Sequence, residues 1–212
     1  MTITILIIAA TCIISFIGFS NQNLIDDLIF YPPSITNKNQ WYRFITCGFI
    51  HADIPHLAFN MYSFYMFGEA IEEWFIYTFG NIGKLLYLVL YLSALFACLV
   101  PTYLKHKTDY HYKSLGASGA VSAIVFAFIF LEPSAKIGLI IIPFFKAPAF
   151  IFGGIYLGVS YYLAKRGKSY INHSAHFAGA IYGIVFLIIS CALFTDFKPL
   201  SNFIFQVQSY FR

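Results

Sequence analysis

A chain of 212 residues that is 59% hydrophobic and only 10% charged, against roughly a quarter charged in ordinary soluble domains, reads as an integral membrane protein. Apolar stretches long enough to cross a hydrocarbon core of about 30 Å recur along it, so one compact multi-span domain is expected, with no room for a separate soluble domain. The net charge of +4 lies in short loops between spans, where it orients the chain and does not suggest nucleic acid; the four isolated cysteines suggest neither a CxxC metal pair nor a disulfide framework.

Ile3 to Phe19 is uninterrupted by charge and lacks a basic leader and a small-residue cleavage site, so it is expected to be a retained first span. From Ser20 to Pro55 the chain turns polar, with Pro32-Pro33, Asn37, Asn39 and the aromatic-basic patch Trp41-Tyr42-Arg43, and reads as a long loop with interfacial aromatics. A second helix is expected from about Pro55 to Phe79, with His56 and Asn60 near its start and Glu69, Glu72 and Glu73 towards its end. Gly83 to Leu104 gives the third, and the basic loop Lys105 to Lys113 leads to the fourth, Ser118 to Leu131, which stops at Glu132-Pro133. At 1.5 Å per residue this fourth helix covers only about 21 Å, less than the hydrocarbon thickness, so its serine end is expected below the membrane surface. Ile137 to Phe145 is too short to span, is broken by Pro143 and reads as interfacial. A fifth helix is expected over Ala147 to Ala164, closed by Lys165, Arg166 and Lys168. The sixth runs from about Asn172 to Phe194, with His173 and His176 in its first turns and Gly179 and Gly183 behind them. The expected architecture is an all-α membrane protein: a six-helix transmembrane domain over residues 1–195 and a tail of mixed aromatic character over 196–212.

The stretch Gly116-Ala117-Ser118-Gly119 places a hydroxyl between glycines at the opening of an apolar helix. There it sits beside unpaired backbone N–H groups and the positive end of the helix dipole, where a developing oxyanion is stabilised. The competing structural reading is that Gly116 and Ala120, and Gly119 and Ala123, are small residues four apart, as membrane helices use to pack. An α/β-hydrolase elbow does not apply, because Ala120 stands where that motif needs glycine and no strand precedes the serine. Counting spans supplies the partners: the second, fourth and sixth helices all start on one membrane face, which brings His56, Asn60, Ser118 and His176 to similar shallow depth. Such side chains are costly in lipid, so a protein-lined, water-reachable cavity is expected around them. A serine with a histidine base is the simplest chemistry they support, and with no acidic residue near His176 in sequence the expectation is a dyad. His56 and Asn60, at i and i+4, share a helix face and can both donate to an oxyanion.

At these residues the chain resembles the rhomboid family of intramembrane serine proteases. The matching motifs are Gly116-Ala117-Ser118-Gly119, Ala175-His176 followed by Gly179 and Gly183, and the stretch from His51 through Pro55-His56 to Phe59-Asn60. The resemblance implies a six-helix rhomboid-like bundle, Ser118 as nucleophile, His176 as base, and an oxyanion hole of His56, Asn60 and the Ser118 backbone N–H. It implies supporting roles for Gly116, Gly119 and His51, for Arg43 in an aromatic-basic first loop, and for Gly179 and Gly183 in bringing the sixth helix against the fourth. Substrates would be single-span or multi-span membrane proteins in the bilayer, with no cofactor or metal. Two departures stand out: Tyr42 occupies a place where tryptophan is usual, with Trp41 one position earlier, and Ser122 replaces an aromatic that in the family packs on the catalytic histidine.

Two other readings compete. His51, His56, His173 and His176 have spacings that suit a four-histidine metal site, though this leaves Ser118 and its glycines without a role. A proteolytically silent member that binds and routes membrane proteins is the other. The resemblance implies an active site facing away from the cytoplasm, in a bacterial inner membrane. Basic residues argue the reverse: eight of the 13 (Lys38, Arg43, Lys105, Lys107, Lys113, Lys165, Arg166 and Lys168) lie on the serine face and five (Lys84, Lys136, Lys146, Lys198 and Arg212) on the other, which the positive-inside rule assigns to the opposite orientation. The family orientation is the one adopted, because Lys38 and Arg43 lie in a long loop.

Overall fold

The computed structural model describes residues 1–138, 146–166 and 172–212 of the chain. Within them the six expected apolar helices form: α1 (Ile3–Ser20), α5 (Ile54–Phe79), α6 (Gly83–Ala97), α8 (Ser118–Leu131), α9 (Ala149–Arg166) and α10 (His173–Phe194). Three continuous helical stretches, Ile3–Ser20, Ile54–His106 and His173–Phe194, are long and apolar enough to cross a membrane by length and composition. The middle one turns back at Gly80, whose φ is 56°, and Gly83 then packs so closely that a Cβ there would lie 2.3 Å from the carbonyl oxygen of Phe75.

Helix α8 is the hub. It is apolar all round and buried from Gly119 to Ile124 and again at Phe126, Ala127 and Ile129 to Leu131, packed against α5, α6, α9 and α10. The large apolar side chains left exposed, such as Phe16 on α1, Phe59 on α5, Val89 on α6, Ile155 on α9 and Ile189 on α10, lie on the outer helices, as a lipid-facing surface requires. The first turn of α1 is pinned by a carboxylate from another helix. Ile3 and Thr4 backbone N–H groups each donate to Glu72 at 2.8 Å, the Thr4 hydroxyl donates to the same carboxylate, and Tyr87 Oη lies 2.6 Å from Thr4 Oγ1. Donors that no intrahelical carbonyl can reach are thereby satisfied, and the negative charge sits at the positive end of α1.

Several expectations need correcting. The segment between α1 and α5 is not one irregular loop: it holds α2 (Gln22–Leu28), α3 (Pro32–Lys38), α4 (Arg43–Thr46) and a 3₁₀ turn, Cys47–Phe49. Pro32-Pro33 occupy the first turn of α3, where a missing N–H costs nothing, and Asn39 ends it with φ 55°. The third apolar helix does not run to Leu104; it ends at Ala97, and Pro101 starts the separate α7 (Val100–His106). The fold is not purely helical, because Lys136–Gly138 (β1) pairs antiparallel with Lys146–Pro148 (β2). The interfacial reading of Ile137 to Phe145 otherwise lies outside the described residues, as does Lys168. The tail is an ordered helix, α11 (Pro199–Tyr210), fixed by Asn202 and Gln206 amides that donate to Leu131 O at 3.0 and 2.9 Å and by Phe203 stacked on Phe130. It caps one free carbonyl, that of Leu131, at the end of α8.

Candidate active site

Ser118 is the first residue of α8, and the turn before it is tied down from two sides. Phe30, between α2 and α3, exchanges two backbone hydrogen bonds with Ser114, at 3.0 and 3.1 Å, and Gly116 N–H donates to Cys47 O at 2.9 Å. Arg43 holds the first of these elements in place. It is 5% exposed, and its guanidinium donates to Asp26 O and Ile29 O, both 2.8 Å, and to Gln40 Oε1 at 2.7 Å. Gly116 has φ 109°, a conformation that L side chains rarely adopt, and a Cβ there would strike the His56 ring at 2.6 Å.

His176 reaches the same point from α10, whose N-cap Asn172 accepts from Ala175 N–H at 3.0 Å and from Thr102 Oγ1 at 3.1 Å. His176 Nε2 lies 2.7 Å from Ser118 Oγ. That distance requires close packing of α8 and α10. Cβ atoms on Gly179 and Gly183 would lie 2.0 Å from Gly119 O and Ala123 O respectively, so at both positions backbone meets backbone. Gly119 instead accommodates Cys98, whose Sγ a Cβ would meet at 2.4 Å. Among the described residues no carboxylate hydrogen-bonds or pairs with His176.

Ser118 and His176 open into a cavity of about 700 Å³ that His56 and Asn60 also line. Asn60 is 3% exposed and spends one of its two amide hydrogens on His56 O at 3.0 Å, leaving the other available. The first-turn N–H of Ser118 has no intrahelical acceptor. Away from this polar end the cavity wall is apolar, with Phe59 and Phe67 from α5, Val125 and Phe126 from α8, and Phe152 from α9.

His51 turns out to be built into the site's floor. Its ring is 1% exposed, lies edge to face with His56 at 4.9 Å, and uses both nitrogens. Ser15 donates its hydroxyl to Phe49 O, so it accepts from His51 Nδ1–H at 2.9 Å; Nε2 is then the acceptor for Ala117 N–H, at a long 3.5 Å. Burial first, and then neighbouring His56, pull the His51 imidazole down to about 3, with Asp53 acting weakly the other way. An unfolded histidine takes up its proton near 6.5 and this one only near 3, so stability present above pH 6.5 is lost as pH falls through that window, by at most ~1.4 kcal/mol per pH unit. Melting followed from pH 7 to 4 in detergent should show this loss, and His51→Gln should make it shallower. A wild type and variant with parallel pH profiles would remove His51 as its source.

The sequence missed Tyr156. Ser122 leaves the usual aromatic place on α8 empty, and its hydroxyl lies 2.8 Å from Tyr156 Oη on α9. The Tyr156 ring lies 6.2 Å from the His176 ring at an interplanar angle of 21°. The aromatic beside the histidine thus comes from another helix. Nothing local in sequence marks it, since the two partners stand 34 residues apart. His173 also neighbours His176, ring centroids 5.8 Å apart. With both His51 nitrogens engaged, the four histidines do not converge, and among the described residues no group of three or more His, Cys, Asp or Glu is placed to hold a metal ion.

Comparison with known proteins agrees with this architecture. A family model described as a Rhomboid domain matches residues 38–193. The chain is 33% identical over 147 residues to RHOMBOID-like protein 12, mitochondrial, of Arabidopsis thaliana, covering 64% of this chain and 42% of that one. It is 29% identical over 171 residues to Rhomboid-like protein 11, chloroplastic, of the same plant (70% and 52% covered), and 29% over 106 residues to Putative rhomboid protease YdcA of Bacillus subtilis (50% and 48%). The chain therefore spans about half the length of the curated relatives it matches. Two of these three names place the relative in a mitochondrion or a chloroplast, so the expected bacterial inner membrane is not supported, while an integral membrane location is. With the family model covering most of its length and its apolar helices packed around a buried, serine-led α8, this chain belongs to the rhomboid family.

Proposed function

We propose that the chain is an intramembrane serine endopeptidase that hydrolyses a peptide bond in or near the transmembrane segment of another membrane protein. The observation that carries this reading is the 2.7 Å contact between Ser118 Oγ and His176 Nε2 at the polar end of a cavity whose other walls are apolar. His176 takes the hydroxyl proton as Oγ attacks the scissile carbonyl, and returns it to the departing amine. The negative oxygen formed in that step is met by the Ser118 backbone N–H, the spare Asn60 amide hydrogen and His56. Water, deprotonated by the same histidine, then releases the acyl chain. A carbonyl inside a helix is already hydrogen-bonded, so the substrate has to unwind locally before Ser118 can reach it. Apolar walls suit the rest of such a segment.

Tyr156 acts as a positioning residue. Its ring lies beside the imidazole, and Ser122 fixes its hydroxyl, so α9 as well as α10 sets where His176 stands. Gly116 lets the His56 ring lie against the turn, Gly119 makes room for Cys98, and Gly179 and Gly183 let α10 close on α8. The cavity opens on the face where α8 and α10 begin, and in this proposal that face lies away from the cytoplasm; the bundle spans the membrane six times, over residues 1–195.

The reading is tested by treating the protein with a fluorophosphonate in detergent and locating the adduct by mass spectrometry; modification of Ser118 is expected, and none there would overturn it. Asn60→Ala should lower turnover by roughly a hundred- to a thousandfold with little change in substrate affinity, since one preorganised donor is removed. An Asn60→Ala enzyme with normal turnover and weakened binding would reassign Asn60 to substrate binding.

A further inference from the structure

A second cavity, of about 750 Å³, lies beside the first on the same membrane face, between the end of α7, the loop that follows it, the end of α9 and the start of α10. Its character is the opposite. Lys105, Lys113, Lys165, His106, His111 and His173 line it, and Asp109 is the only carboxylate among its described lining residues. That carboxylate is already occupied, accepting from His106 Nδ1 and from His111 N–H, each at 3.0 Å. Lys105 and Lys165 make no ion pair among the described residues, although Lys165 lies over the Tyr161 ring.

The two cavities share a wall of Lys113, Ser114 and Asn172. Asn172 spends its side-chain oxygen on capping α10, while its Nδ2 is buried with no acceptor among the described residues. A buried donor left unpaired is costly, so an occupant that supplies an oxygen there is favoured. A chain held at Ser118 has its scissile carbonyl at the polar end of the first cavity, and its next residues on the water side have this wall within reach.

We propose that the second cavity receives the water-side flank of the substrate polypeptide and selects Asp and Glu in it, with Lys105 and Lys165 as the principal charges and Asn172 Nδ2 donating to the chain that crosses the wall. The proposal rests on the protease reading and adds a substrate class to it. Complementary charge here steers and orients the flank and leaves the chemistry at Ser118 alone.

The test uses three single-span substrates that differ only in the flank, carrying acidic, amide or lysine residues, with wild type and the Lys105→Glu/Lys165→Glu variant in neutral detergent. Cleavage is measured on the active enzymes, and binding of the labelled substrates on the same two forms carrying Ser118→Ala. Two partly exposed pairs together are expected to give the acidic flank roughly a fivefold lower KM than the amide flank in wild type, with kcat alike. In the charge-swapped variant the lysine flank should become the better substrate. This ratio within one enzyme separates selectivity from any loss of folding. Salt at 0.5 M should erase both preferences. An acidic preference that survives the swap, or no preference in wild type, overturns the proposal. So does a swap that leaves flank selection intact but abolishes dependence of the rate on an anionic phospholipid added to the detergent, which would make the cavity a phosphate headgroup site. Charge-dependent binding without cleavage of any substrate would sink the protease reading and keep the flank site, whereas cleavage with charge-independent binding would do the reverse.

Discussion

Ser118→Ala and His176→Ala are each expected to reduce cleavage of a helix-destabilised single-span substrate by roughly a thousandfold or more, and the double variant should be hardly worse than either alone. A nucleophile and its base act as one unit: without the imidazole the hydroxyl keeps its proton, and without the hydroxyl the imidazole has nothing to activate. The 2.7 Å contact is short enough for direct transfer, with no water between. Binding of substrate should survive in all three variants, because the apolar walls of the cavity are untouched. His176→Ala should also suppress fluorophosphonate labelling of Ser118. The competing readings separate on the same measurement. A metal-dependent enzyme built on the histidines predicts loss in His176→Ala but not in Ser118→Ala, and a silent binding protein predicts no cleavage by any form. Full activity in Ser118→Ala would end the serine mechanism.

What was legible in the sequence follows from how local each signal is. Ser118, with its flanking glycines, opens α8 as read, because a helix start is marked by the residues around it; the parity of the helices then brought His56, Asn60 and His176 to one face. The small residues on α10 were legible for the same reason, since Gly179 and Gly183 share a face of one helix. Interactions between distant segments were not legible. The Glu72 carboxylate reads as a polar helix end, yet its partners are Ile3 and Thr4 N–H on α1. His51 has a supporting role only through the resemblance until Ser15 and Ala117 are brought to its two nitrogens, and Ser122 reads as a loss until Tyr156 arrives from α9. The short helices between α1 and α5 are a different kind of miss. Pro32-Pro33 and Asn39 mark a helix start and a left-handed end as well as they mark a loop, and the polar composition favoured the loop: seven residues make too short a helix to stand without the packing that buries Pro32 to Ile35.

Gly179→Ala, the smallest enlargement possible there, is expected to cost about a hundredfold in turnover. The new Cβ would lie 2.0 Å from Gly119 O, where real Cβ contacts essentially never fall below 3.0 Å, and its nearest neighbours are all backbone atoms of Gly119. No rotamer change relieves that. Helix α10 has to back away from α8 by about 1 Å, next to the point where His176 and Ser118 meet, and a misplacement of that size costs about a hundredfold in a site that depends on alignment. Stability should fall as well, by about 1–3 kcal/mol, as for other overpacked contacts. Gly183→Ala meets Ala123 O at the same 2.0 Å, but about one turn farther from the histidine. It should match the loss of stability and show a smaller loss of turnover, which tells damage to the Ser118–His176 contact from loosening of the bundle. Gly154 and Gly158 on α9 supply the control, since a Cβ at either meets nothing within 4 Å; alanine there should leave melting unchanged or raise it slightly. A Gly179→Ala protein that melts and turns over like the wild type would show that close approach of α8 and α10 is not what brings the serine to the histidine.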